Sequence, residues 1–307
     1  MLLPVRDSRL TRRYAVWLLF FACFPLLAQS DIGAVVPEDK PIRAAALGDF
    51  GTGGKDEIDV VRAIAREDHD KPFQLGLTLG DNFYRCGVRG VDDPIWKRVW
   101  SSFFDPLGIP FYATLGNHDY GRGAGPVCLG AHTDPAAEVA FTQRSATWRM
   151  PARYYRFSAG PVEFLALDTE EWGEDERQWV QQRLAVRPPG IHWVVVYGHH
   201  PIFSSGRHGG TAKLRSQLLP LLKRAKVDAY ISGHDHDMEH LRADGIDFFV
   251  AGGGGASTYS VSRRDPHSLF AFRQHGFLVL EADSQALRVR LLDTHGKVLG
   301  TPFVKTT

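Results

Sequence analysis

Gly80-Asp81-Asn82-Phe83-Tyr84 follows directly on Phe73-Gln-Leu-Gly-Leu-Thr-Leu79, and the junction between the two decides the fold. The apolar run reads as a buried strand. A strand that ends in Gly-Asp delivers a carboxylate where the backbone leaves the sheet. One Gly-Asp is an ordinary turn, but the arrangement recurs. Ala44–Leu47 runs into Gly48-Asp49-Phe50-Gly51, and Phe111–Leu115 into Gly116-Asn117-His118-Asp119. Trp193–Tyr197 runs into Gly198-His199-His200-Pro201, and Asp228–Ser232 into Gly233-His234-Asp235-His236. Each time an apolar strand meets a glycine and then a residue type that binds metals. Ligands of α/β sheets collect outside the carboxyl ends of the strands. The five loops are therefore expected to converge on one polar site.

Working outward, helical spacing of apolar residues predicts helices over Lys55–His69, Ile95–Phe104, Glu174–Ala185 and Thr211–Ala225. These alternate with the apolar strands. From Asp247 onward the chain turns to strands, at Phe248–Ala251, Phe277–Glu281, Leu287–Leu292 and Val298–Val304. Alternation followed by consecutive strands predicts an α/β fold of sheets covered by helices, with a partly antiparallel end. Gly121–Asp134 reads as a long loop. Gly252-Gly-Gly-Gly255 reads either as a turn needing unusual dihedrals or as backbone approaching the site closely.

The 307 residues are 44% hydrophobic with a formal net charge of +1, enough for a large core and without the basic excess of a nucleic-acid binder. The N-terminus differs. Arg6, Arg9, Arg12 and Arg13 precede an apolar run over Tyr14–Leu27, and Ala28-Gln29-Ser30 ends it with small residues. That order reads as a signal peptide over residues 1–30, with a catalytic domain over 31–307 and a secreted or periplasmic destination. The run is shorter than the roughly 20 residues a membrane span needs. Of three cysteines, Cys23 would leave with the signal. Cys86 and Cys128 would then be free to pair in an oxidising compartment or to remain thiols.

Asp, Asn, Tyr and His together form a mixed oxygen and nitrogen donor set, suited to iron, manganese or zinc rather than calcium. The set is too large for one ion, whereas two ions sharing a carboxylate use it fully. Two metals about 3.5–4 Å apart clamp an in-line displacement at phosphorus. Tyr84 narrows the choice, because a phenol with a free pKa near 10 is captured far more readily by Fe(III) than by zinc. The chain holds only two asparagines, Asn82 and Asn117, and both lie inside these motifs.

Gly-Asp-Phe-Gly, Gly-Asp-Asn-Phe-Tyr, Gly-Asn-His-Asp, Gly-His-His-Pro and Gly-His-Asp-His, in this order, resemble the blocks of the purple acid phosphatases. These belong to the calcineurin-like metallophosphoesterases, and the chain is most similar to their small, tartrate-resistant type. The likeness continues through Arg153-Tyr-Tyr-Arg156, Leu167-Asp-Thr169 and Gln217–Leu222, and covers most of residues 42–256. It implies a two-sheet β-sandwich flanked by helices. It further implies Fe(III) held by Asp49, Tyr84 and His236. A divalent ion, Fe(II), Zn(II) or Mn(II), would be held by Asn117, His199 and His234, with Asp81 bridging the pair. His118 would face the leaving group as general acid, and His208 matches a second outer histidine. The implied reaction is hydrolysis of small phosphomonoesters by hydroxide generated at that centre, in a monomer with no nucleic-acid partner and no membrane span after signal cleavage. The chain departs from the pattern where Thr169 leads almost directly into a helix, without the regulatory loop of mammalian members. The Gly121–Asp134 loop also looks longer than its counterpart.

Other readings stay open on sequence alone. They are a phosphodiesterase or nucleotidase on the same centre, a non-catalytic metal- or phosphate-binding protein, and a redox-active iron protein. His200 reads as either a supporting or a plain loop residue. Asp119 is expected to orient its neighbours. Arg85, Arg122 and Arg207 read as solvated charges near the loops, and His240, His267, His275 and His295 as packing or surface residues.

Overall fold

The computed structural model describes residues 29–123, 125–128, 132–261 and 264–307, so the expected signal segment lies outside the described residues except for Gln29 and Ser30. The chain opens with β1 (Gln29–Val36), β2 (Ile42–Leu47), α1 (Lys55–Asp70), β3 (Leu75–Leu79) and β4 (Phe111–Thr114). It continues through α2 (Ala136–Phe141), β5 (Trp148–Arg149), β6 (Tyr154–Ala159), β7 (Val162–Ala166), α3 (Glu174–Arg183) and β8 (Trp193–Tyr197). Then come α4 (Ala212–Gln217), α5 (Leu219–Ala225), β9 (Ala229–Ser232), β10 (Met238–Ala243) and β11 (Ile246–Ala251). The end is β12 (Ser268–Phe272), β13 (Gly276–Ala282), β14 (Ala286–Asp293) and β15 (Val298–Thr306).

The strands form two mixed sheets, in the orders β1-β6-β7-β8-β9-β11-β10-β12 and β15-β14-β13-β2-β3-β4-β5. Each has a parallel centre, β7-β8-β9-β11 in one and β2-β3-β4-β5 in the other, continued by antiparallel pairs through β6, β10 and β12 and through β13, β14 and β15. Strand β8 explains why such centres read as unbroken apolar runs. Trp193, Val195 and Tyr197 face the core between the sheets, while Val194 and Val196 face the core under α3, α4 and α5. Alternate residues point to opposite faces, and here both faces are covered. Tyr155 and Tyr197, on one sheet, donate hydroxyl hydrogen bonds to the Ala113 and Tyr112 carbonyls of β4 at 2.8 and 3.3 Å. These buried bonds fix the sheets against each other where the site loops emerge.

The expected strands are present, and the expected two-sheet sandwich flanked by helices is the fold. Two helices differ from the reading. The Ile95–Phe104 segment contains a π-helical stretch over Trp96–Ser101. The helix expected over Thr211–Ala225 is two, α4 and α5, joined at Leu218. Pro220 in the first turn of α5 has no N–H to continue the ladder of α4. Sequence reasoning also missed β1, which pairs in parallel with β6. Among the described residues no helix is long and apolar enough to cross a membrane.

Candidate metal centre

Strands β2, β3 and β4 of one sheet and β8 and β9 of the other end at the same place, and their five loops meet there. Asp49, Asp81 and His234, each directly after a motif glycine, adopt left-handed backbone with φ of 59, 53 and 69°. Such conformations are costly for non-glycine residues and concentrate at functional sites. The glycines are required by crowding. A Cβ on Gly116 would lie 2.3 Å from the Asp81 amide nitrogen, and one on Gly233 would lie 2.4 Å from Asp49 Oδ2.

The side chains form two adjoining nests. In the first, Tyr84 OH lies 3.2 Å from Asp49 Oδ1, 3.0 Å from Asp81 Oδ2 and 3.0 Å from His236 Nε2. In the second, Asn117 Oδ1, His199 Nε2 and His234 Nδ1 are mutually 3.0–3.1 Å apart. Asp81 belongs to both, because its Oδ1 is 3.5 Å from His199 Nε2. Asp49, Asp81, His199 and His236 are all buried.

Hydrogen bonding outside the nests shows what points into them. His236 Nδ1 donates to the Ser257 carbonyl at 2.8 Å and His199 Nδ1 to the Leu79 carbonyl at 2.9 Å. A carbonyl only accepts, so in the neutral rings both Nε2 atoms carry lone pairs. The Asn117 amide nitrogen donates outward to the Arg122 carbonyl at 3.3 Å, which turns its oxygen inward. Each nest thus gathers more lone pairs than it has protons to separate them. Burial, then the charges of Asp81 and Asp49, hold the Tyr84 phenol well above its usual pKa, so it ionises only beside a cation. Two adjacent cages of mixed oxygen and nitrogen donors, sharing one carboxylate, fit a pair of transition-metal ions.

The outer residues divide sharply. His118 donates its backbone N–H to Asp81 Oδ1 at 2.8 Å and its Nδ1–H to the Arg85 carbonyl at 2.6 Å. Its ring lies 4.3 Å from that of Tyr84, and its Nε2 is 3.9 Å from Asp81 Oδ2. His208 is exposed. Its backbone N–H donates to Asp235 Oδ1 at 2.7 Å, and its ring lies 4.5 Å from that of His234. Asp119 is buried and accepts the N–H groups of Asn82, Phe83 and Gly116, so it orients its neighbours as expected. Asn82 is fully buried, donating to Thr114, Asp119 and Glu138, and braces the loop instead of facing the site. His200 packs its ring 4.4 Å from that of His234 and bonds to Thr169, a supporting place. His240 stacks on Phe249 and bonds to Asp247, a packing residue as read. Cys86 and Cys128 are bonded to each other, tying the loop after Tyr84 to the loop after His118.

The glycine run approaches the site, one of the two readings its sequence allowed, whereas two supports, the segment just after it and Asp235, escaped sequence reasoning. A Cβ on Gly252 would lie 2.9 Å from Asp49 Oδ2, and the Ala256 N–H donates to the Asp49 carbonyl at 2.8 Å. The same run ends in Ser257, which orients His236, and Tyr259, whose ring stacks on His236 at 4.1 Å. The second support is Asp235, the middle residue of Gly-His-Asp-His. It accepts from Ser204 Oγ, His208 N–H and Gly209 N–H and so anchors the loop between β8 and α4. A buried carboxylate between two histidines was the available signal.

Comparison with known proteins agrees with this geometry. A family model described as calcineurin-like phosphoesterase matches residues 24–238. Purple acid phosphatase 7 of Arabidopsis thaliana is 29% identical over 289 residues, covering 85% of each chain. Tartrate-resistant acid phosphatase type 5 of Sus scrofa is 29% identical over 300 residues, covering 84% of this chain and 85% of that one. Among solved structures, a purple acid phosphatase from yellow lupin superposes with a TM-score of 0.71 at 18% identity, over 88% of this chain and 55% of that one, a likeness of fold. The Plasmodium protein GAP50, described as an anchor in the inner membrane complex, superposes with a TM-score of 0.74 at 25% identity, covering 87% and 88%.

Proposed function

Since the chain belongs to the calcineurin-like phosphoesterase family, we propose that it is an acid phosphatase that hydrolyses small phosphomonoesters at a binuclear Fe(III)–M(II) centre. The observation that carries this reading is the pair of lone-pair-rich nests joined through Asp81. Asp49, Tyr84 and His236 would hold the trivalent ion, and Asn117, His199 and His234 the divalent one. When bound, the two ions would supply the nucleophile at mildly acidic pH and neutralise charge on the phosphoryl group. The chain's own residues do the rest. The P–O bond to the alcohol breaks as the new P–O bond forms, and His118 gives its Nε2 proton to the departing oxygen. His208 borders the site on the His234 side. The likeness to an anchor protein leaves a non-catalytic role as the reading to beat, and the full donor set here weighs against it.

Metal analysis with a visible spectrum tests the assignment. The protein is expected to carry two metals including iron and to show a tyrosinate charge-transfer band. Chelation should abolish hydrolysis, and Tyr84→Phe should remove the band. A colourless, active protein with two zinc ions and no iron would sink the iron assignment. Metal-loaded protein without hydrolysis would sink the phosphatase. Export is part of the same proposal, with a signal over residues 1–30 and a monomeric catalytic domain over 31–307. Intact-mass measurement of the secreted protein should then give a chain beginning near Asp31 with the Cys86–Cys128 bond intact. A mass that retains Met1 would refute cleavage.

A further inference from the structure

The three arginines near the site loops are used differently. Arg122 donates to Glu170 at 2.9 Å and to Glu171, so on the Asn117 side its charge is more than matched by two carboxylates. Arg85 is exposed, and among the described residues no ion pair or hydrogen bond places its guanidinium against a site group. Arg207 is exposed, has no carboxylate within ion-pair distance among the described residues, and lies over the Tyr259 ring at 5.4 Å. Tyr259 is itself stacked on His236, with 13° between the rings, and 5.5 Å from His208. The segment carrying Arg207 is firmly held. Asp235, fully buried, accepts hydrogen bonds from Ser204, His208 and Gly209 on either side of it, at 2.6, 2.7 and 3.0 Å. An unpaired guanidinium, carried on an anchored segment, thus lies one aromatic ring away from the first nest.

A cation so placed is open to an anion, and the reacting phosphoryl group is not the one. That group would be met by the cations the nests are fitted to hold, and the Tyr259 ring lies between His236 of the first nest and Arg207. The remaining candidate is a second anionic group on the alcohol portion of the substrate. The asymmetry of the mouth favours the same direction, because an anion would be repelled on the Glu170–Glu171 side and attracted on the Arg207 side. We propose that Arg207, seated on Tyr259, is a specificity-determining residue that binds a carboxylate or further phosphate on a phosphomonoester whose alcohol is itself anionic. The inference rests on the phosphatase reading above and extends it to a substrate class.

3-Phosphoglycerate and glycerol 3-phosphate separate the two ideas, since both are primary alkyl esters and only the first has a carboxylate. The metal-loaded wild type is expected to favour 3-phosphoglycerate in kcat/KM by about tenfold at low ionic strength, the order of one exposed charge-assisted contact, and less at high salt. Arg207→Gln should erase the preference, chiefly through KM, while changing glycerol 3-phosphate by less than about twofold. Arg207→Lys should keep part of it, because charge survives and the fork geometry does not. Tyr259→Leu, which frees the guanidinium, should weaken the preference with Arg207 still present. Equal treatment of the two esters by the wild type, or an equal loss on both in Arg207→Gln, overturns the inference and leaves the phosphatase reading standing. Hydrolysis of neither ester by metal-loaded wild type would bring down the reading and the inference together.

Discussion

Asp81→Asn is expected to lower kcat on any phosphomonoester by at least about 10³-fold, the scale of losing a principal electrostatic contributor inside a dry site. Among the described residues, Asp81 alone places one oxygen in each nest, Oδ2 beside Tyr84 and Oδ1 toward His199. It is almost fully buried, and its Oδ1 also accepts the His118 N–H. Asparagine keeps one oxygen of similar placement but replaces the other with a donor that carries no charge. The acceptor for His118 can survive while the shared ligand is lost. Metal content should therefore fall from two toward one. Stability should respond in the opposite sense once metals are removed. Burial and then the charge of buried Asp81 push the Asp119 carboxyl up to about 8, so without cations the Asp81 charge opposes folding. Chelated Asp81→Asn should unfold at or above the temperature of chelated wild type, as expected where function is built at the expense of stability. Calorimetry of both metal-free proteins, with elemental analysis of the loaded forms, checks this. Two bound metals and activity within tenfold of wild type would contradict the bridging role.

The site could be read from sequence to the extent that its chemistry sits beside its cause. Each ligand loop follows a strand buried on both faces, so the strand announces itself as an apolar run. The glycine that follows exists because neighbouring loops leave no room for a Cβ, as at Gly116 against Asp81. Strand, glycine and ligand are contiguous, and so the pattern survives in one dimension. The parts that were missed depend on distant partners. Ser257 orients His236 through a carbonyl, a group every residue has, and nothing in the side chain marks it. Asn82 sits between two motif residues yet turns away, because Asp119 and Glu138 offer it buried acceptors from other segments. The α4–α5 break was legible in Pro220, but the apolar stripe through Leu214, Leu218 and Leu222 continues across it and hides it. β1 escaped because its residues are mostly exposed and its pairing with β6 is made across more than a hundred residues.

His118→Ala is expected to slow alkyl phosphates by about 10²–10⁴-fold, the usual contribution of a positioned general acid. Nitrophenyl esters, whose leaving group departs unaided, should lose about tenfold or less. The structure distinguishes the two outer histidines by how their rings are held. His118 has its Nδ1–H committed to the Arg85 carbonyl, its backbone to Asp81 and its ring face against Tyr84. Its Nε2 is thereby aimed at the shared carboxylate, 3.9 Å away, where a bound ester would sit. His208 has a fixed backbone but an exposed ring with no hydrogen bond to either nitrogen among the described residues. A proton donor must be in place at the moment the bond breaks, and a ring free to swing spends little time there. His208→Ala should accordingly slow both ester types to a similar and smaller degree, through binding. Measured across acidic pH with metal content confirmed, the decisive quantity is the ratio of alkyl to aryl rates in each variant. If that ratio collapses in His208→Ala and is preserved in His118→Ala, the donor is His208, and the Arg85 contact serves only to brace the loop.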